Sequence, residues 1–185
     1  MTVYESLIES QIDGPTLTAA AAATCLPAAA KRTLPANFFD KIGKKLRITA
    51  SGRISSVITT PGTARFDIRL GGAVVFDGLA ILLDTVAAHT NVGWQLDIEM
   101  TIRAIGTAAN FFSIGKWTCE DILGVPATAP KGVLTAILPW NAAPAVGGNF
   151  SSIVSQELDM FFTQTVATGS LTVHTFEAAC PNSSV

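Results

Sequence analysis

Between Lys45 and Val57 the chain alternates apolar and polar residues with the two-residue period of a half-buried strand. Leu46, Ile48, Ala50 and Ile54 fall on one face, and Arg47, Thr49, Ser51 and Arg53 on the other. The same period returns in "ARFDIRLGGAVVFDG", with Phe66, Ile68 and Leu70 inward and Arg65, Asp67 and Arg69 outward. There Gly71-Gly72 suits a two-residue hairpin whose central residues need positive φ. It is clearest in "WQLDIEMTIRA", where Trp94, Leu96, Ile98, Met100 and Ile102 line one face opposite Gln95, Asp97, Glu99, Thr101 and Arg103. Further strands are expected at Leu79–Leu83, Phe111–Cys119, Val133–Leu138, Glu157–Val166 and Leu171–Ala178, separated by loops such as "GVPATAPKG" and "PWNAAPAVGGN".

Short strands with turn signals and almost no amphipathic helix predict an all-β fold, an antiparallel β-sandwich of the jelly-roll type. The first residues read differently. "VYESLIESQI" is expected to form a short helix that Gly14 and Pro15 stop, and the Ala-rich run up to Pro27 and beyond is expected to be extended. The organisation expected is therefore an N-terminal extended arm over 1–33 and a sandwich domain over 34–185.

Composition changes this picture in one respect. Charged residues make up 14% of the 185 positions, against roughly 25% in ordinary globular domains, and mean hydropathy is +0.43. So few charges cover a monomer's surface poorly, so large faces are expected to be buried against copies of the chain or a larger partner. Lys31, Arg32, Lys41, Lys44, Lys45, Arg47 and Arg53 face only Asp40 in their stretch, whereas Glu5, Glu9 and Asp13 make the start acidic. The basic stretch lacks the interleaved aromatics of a single-strand binder, so it reads as a solvated or docking face and no direct nucleic-acid contact is expected. Acids standing where a signal peptide carries positive charge argue against export. The uncharged Gly132–Gln156 stretch is broken by Pro139, Asn141, Pro144, Gly147 and Gly148, so no membrane span is expected.

Reactive chemistry is sparse. Cys25, Cys119 and Cys180 are odd in number and widely spaced, as for reduced, buried thiols; His89 and His174 have no second ligand at metal spacing. Asp97 and Glu99, two apart on one strand face, could approach a glycosidase pair, but alternate polar positions on a wet face explain them better. No catalytic residue, cofactor or metal is expected, and the chain reads as no enzyme. The candidate interface residues are Phe38 and Phe39, a core or subunit plug, together with Lys41, Lys44, Lys45 and Trp140.

The succession "LPANFF", "LRITASGRIS", "TPGTARFDIRLGGAVVF", "TNVGWQLDIEMTIRAIG" and "LDMFFTQTV…SLTVHTFEA" resembles small tailed-bacteriophage virion proteins of the jelly-roll capsid decoration, or cement, type. The resemblance covers Leu34 to Ala178. It implies a homotrimer made in the host cytoplasm that sits on the capsid exterior, binds the major capsid protein and reinforces the shell. On that reading the arm anchors the trimer, and deleting residues 1–33 is expected to leave a folded domain that no longer binds. The alternative is a receptor- or glycan-binding module of a tail fibre or tail tip, with Trp117 and Trp140 stacking on sugars. An enzyme using Asp97 and Glu99 ranks third.

Overall fold

The structure is a computed structural model that describes residues 5–123, 133–144 and 146–181. Twelve strands follow one another along the described residues: β1 (Glu5–Glu9), β2 (Ala22–Thr24), β3 (Arg32–Leu34), β4 (Lys45–Ser56), β5 (Thr63–Leu70), β6 (Ala73–Asp77), β7 (Ile81–Leu82), β8 (His89–Ala104), β9 (Asn110–Leu123), β10 (Val133–Leu138), β11 (Gln156–Gln164) and β12 (Ser170–Cys180). They pair antiparallel into two sheets. The first runs β1-β12-β4-β8-β9-β10 and the second β2-β11-β5-β6, with β3 also on β11 and β7 also on β5. Apart from one short 3-10 turn at Ala28–Ala30, the regular structure described is all β.

The alternation in the sequence dictates how the sheets meet. Leu46, Ile48, Leu96, Ile98, Met100 and Ile102 turn inward from the first sheet at no more than 1% exposure, and each such side chain contributes about 1.5–3 kcal/mol by leaving water. Phe66 of the second sheet reaches across to them. Its ring centre lies 5.0 Å from that of Trp117 on β9 in an edge-to-face contact, and 5.2 Å from that of Trp94 on β8. β4 and β12 are neighbours in one sheet, β5 and β11 in the other. Their two connections therefore cross between the sheets together, tied by the Thr168 hydroxyl donating to the Thr60 carbonyl at 2.9 Å and the Thr63 amide donating to Thr165 Oγ1 at 2.8 Å. That paired outgoing and returning course makes the antiparallel sandwich expected from the sequence. The β5–β6 hairpin also turns on Gly71 and Gly72, both at positive φ (54° and 89°).

Three expectations need correction. The start of the chain is a strand, not a helix: Glu5–Glu9 pairs with β12, and a register shift between Ser6 and Ile8 lets the adjacent Leu7 and Ile8 both be buried. A bulge adds one residue to a strand and so breaks the two-residue period that would have revealed it. Leu79–Leu83 is strand only at Ile81 and Leu82. Asp67, assigned to a wet face, is fully buried.

Asp67 is buried as the ion-pair partner of Arg69. The Ala-rich part of the arm is extended up to the Ala28–Ala30 turn, and β2 and β3 both add to β11, so the second sheet draws strands from the arm and its junction at Leu34. Lys31 bridges Asp159 at 2.6 Å, the Thr24 hydroxyl donates to the same carboxylate at 2.6 Å, and the Arg65 guanidinium grips Asp77 through two bonds of 2.6 and 2.7 Å. Arg69 pairs with Asp67 and stacks 3.6 Å over the Phe161 ring. The bond to Asp67 raises the Arg69 pKa further above its ordinary value.

Candidate functional site

Two surfaces of the sandwich stand out, and the first is one of its ends. The turns at 35–44, 105–109 and 150–155 are bound together there. The Asn37 amide donates to the Ser152 carbonyl at 2.8 Å, the Gly106 amide to Ser152 Oγ at 2.9 Å, and the Gly43 amide to the Ile102 carbonyl at 2.9 Å. Beneath them Phe39 packs edge-on against Phe111 and Phe150, with centres 5.0 and 5.7 Å away. Above them Ile42, Ile105, Ile153 and Val154 stand 47–65% exposed.

The proposed interface residues divide around this end. Phe39 is buried within the chain's own core, while Phe38 keeps partial exposure and carries the Lys44 ammonium 4.3 Å from its ring centre. Lys44 also donates to the Phe38 carbonyl and lies 3.4 Å from Asp40. The Asp40 carboxyl is held below its ordinary pKa by its own backbone amide and then by Lys44. Lys41 is exposed in the same turn. Lys45 belongs elsewhere, on the outer face of the first sheet, where it pairs with Glu99. Trp140 is half-buried on the 139–144 loop, its amide donating to the Gly78 carbonyl at 2.9 Å, and is not brought together with the others.

The second surface is the outer face of the first sheet. Asp97 and Glu99 point outward there as expected, Asp97 3.4 Å from Arg47 and Glu99 bonded to Lys45. Three depressions cross this face, of about 380, 430 and 360 Å³. The first shares Ser51 and Gln95 with the second and Asp97 with the third, so the three adjoin along a shallow trough on the open sheet face. Through it, and one strand beyond it at Thr135, runs a row that single-strand reading missed. Thr175, Ser51, Gln95, Thr118 and Thr135 are successive cross-strand partners on β12, β4, β8, β9 and β10. They come from five separate parts of the chain, and only the register brings them into line.

The remaining candidates are structural. Trp117, offered as a sugar platform, is 1% exposed against Phe66 and cannot serve as one. Cys25, Cys119 and Cys180 are buried free thiols, and burial, followed by the charge of Asp159, raises the Cys25 pKa well above its usual value. His89 bonds Asp84 at 3.0 Å and His174 lies 2.9 Å from Asp13. Among the described residues no group of three or more His, Cys, Asp or Glu side chains could hold a metal, and no helix is long and apolar enough to cross a membrane.

No protein-family model matches the chain, and no curated protein matches it. Among solved structures it is similar to the CBM2 module of the evolved Dit of Lactobacillus casei BL23 phage J-1, over 93% of this chain and 81% of that one, at 10% sequence identity and a TM-score of 0.35.

Proposed function

We propose that this chain is a structural protein of a tailed-phage virion, a capsid decoration protein that docks on the major capsid protein as a homotrimer. The observation that carries the docking is the end of the sandwich. Four aliphatic side chains stand exposed on a rigid set of turns whose underside is the Phe39, Phe111 and Phe150 cluster, with Lys41 and Lys44 beside them. Exposed apolar groups gathered on a preordered surface favour association, because little side-chain or loop entropy is lost on docking. The sequence resemblance to cement proteins supplies the partner. A receptor- or glycan-binding module of a tail appendage is the second reading, favoured by the trough on the first sheet.

Immunogold electron microscopy of intact virions with an antibody to this chain tests the assignment. Label over the head shell is the expected result. Label confined to the tail moves the protein to the second reading, and virions without label overturn both.

A further inference from the structure

The row across the first sheet differs from its neighbours in charge. The adjacent row, Glu177, Thr49, Asp97 and Lys116, carries both signs, and Arg47 and Glu99 continue them in the next. On the other side Arg53 is the cross-strand partner of Gly93. The row between, Thr175, Ser51, Gln95, Thr118 and Thr135, holds no charge over five strands. Adjacent strands lie about 4.8 Å apart, so its hydroxyl and amide groups repeat at that interval. Each of these groups both donates and accepts hydrogen bonds. Ser51 bonds Thr175 and Thr118 bonds Thr135 at 3.1 Å, leaving the exposed Gln95 amide at the centre of the row.

Beside Gln95 the trough changes character. Gly93 faces outward from β8, and a Cβ there would meet nothing within 4 Å. With Gly52, Trp94 and Cys119 it lines the depression of about 430 Å³, whose surface is mainly apolar and at whose rim Glu120 is the one acid. A bare glycine in the middle of a strand leaves backbone open to close approach by a ligand. The trough thus sets an apolar hollow next to a line of neutral hydrogen-bonding groups.

We propose that this trough binds an uncharged oligosaccharide, with one sugar ring over Gly93 and the chain extending along the Thr175–Thr135 row. Sugar hydroxyls, which donate and accept, match the hydroxyls and amide of the row, and the C–H face of a pyranose ring matches the hollow. An anionic polymer has no matching run of cations, because Arg47 and Lys45 are already paired with Asp97 and Glu99, and Arg53 and Lys116 stand singly in separate rows on either side. The inference rests on the second reading of function, but its test does not depend on where in the virion the protein sits.

The test is an array of neutral oligosaccharides, hexamers of glucose, mannose, galactose and N-acetylglucosamine, beside heparin and polysialic acid fragments as the anionic arm. Full-length protein is followed by NMR at the Gln95 side-chain amide. Gly93→Phe fills the hollow at a strand position with open space above it, and Gln95→Ala removes the central amide. Binding of at least one neutral hexamer, with a Gln95 shift and a loss of about tenfold or more in each variant at unchanged melting temperature, is expected. No neutral binding, binding of the anionic fragments alone, or neutral binding untouched by both folded variants overturns the proposal. Head-labelled virions combined with neutral binding uphold it and reject only the tail location.

Discussion

Phe39 and Phe38 are adjacent and identical in type, yet they sit in different environments. Phe39 is 3% exposed between Phe111 and Phe150, so Phe39→Ala leaves a cavity and is expected to cost about 3–5 kcal/mol in urea denaturation. Phe38→Ala, at a partly exposed ring, is expected to cost well under half of that. Asp84 gives the residue-scale prediction for pH. Burial disfavours its charge, but the His89 ring at 3.0 Å and the Val86 and Ala87 amides at 2.8 and 3.2 Å outweigh burial and lower its pKa. A carboxyl with a lowered folded pKa stabilises the fold above its unfolded value of about 3.9, and that contribution is lost as pH falls through the folded value. Thermal melts from pH 6 down to 2 should therefore show an acid loss of stability that is smaller in Asp84→Asn, which lacks the titrating group.

At the scale of elements, the arm gives the sharpest expectation. Leu7, Ile8 and Leu26 are buried, and together they contribute about 5–9 kcal/mol of apolar burial, comparable with the whole net stability of an ordinary domain. A chain lacking residues 1–33 is thus expected to lack the dispersed amide NMR spectrum of the full chain, in contrast to the separable anchor suggested by sequence. A dispersed spectrum with unchanged β-sheet circular dichroism would refute this. The long strands were legible because β4 and β8 keep strict alternation between a wet and a dry face over many residues. The arm was not, since a bulge hides the period of β1 and a run of alanines has no period to show; their state is decided by β12 and β11, more than a hundred residues away. Of the site, Asp97 and Glu99 were correctly read as outward, and of the two alternatives kept for Phe39 the structure shows its place in the chain's own core. Gln95 was read as polar and no more, because its neighbours Ser51 and Thr118 are set by strand register.

For the whole molecule, a 14% charged fraction and the exposed apolar end make self-association the expected state. Light scattering on a sizing column should return three times the 19.3 kDa chain mass, and a stable monomer would contradict the trimer. The placement of the final two strands has a consequence for biosynthesis. β11 completes pairs with β2, β3 and β5, and β12 with β1 and β4, so strands made before β4 wait in both sheets for partners made more than a hundred residues later. While β11 and β12 are still in the exit tunnel, β4, β5 and β8 can associate, but each sheet lacks the strand that joins it to β1, β2 or β3. Loop-closure entropy between such distant partners makes that last pairing slow. Where many copies are translated at once, the open edges of β4 and β5 are templates for a neighbouring nascent chain. Strand exchange between copies therefore competes with folding until translation has passed Cys180.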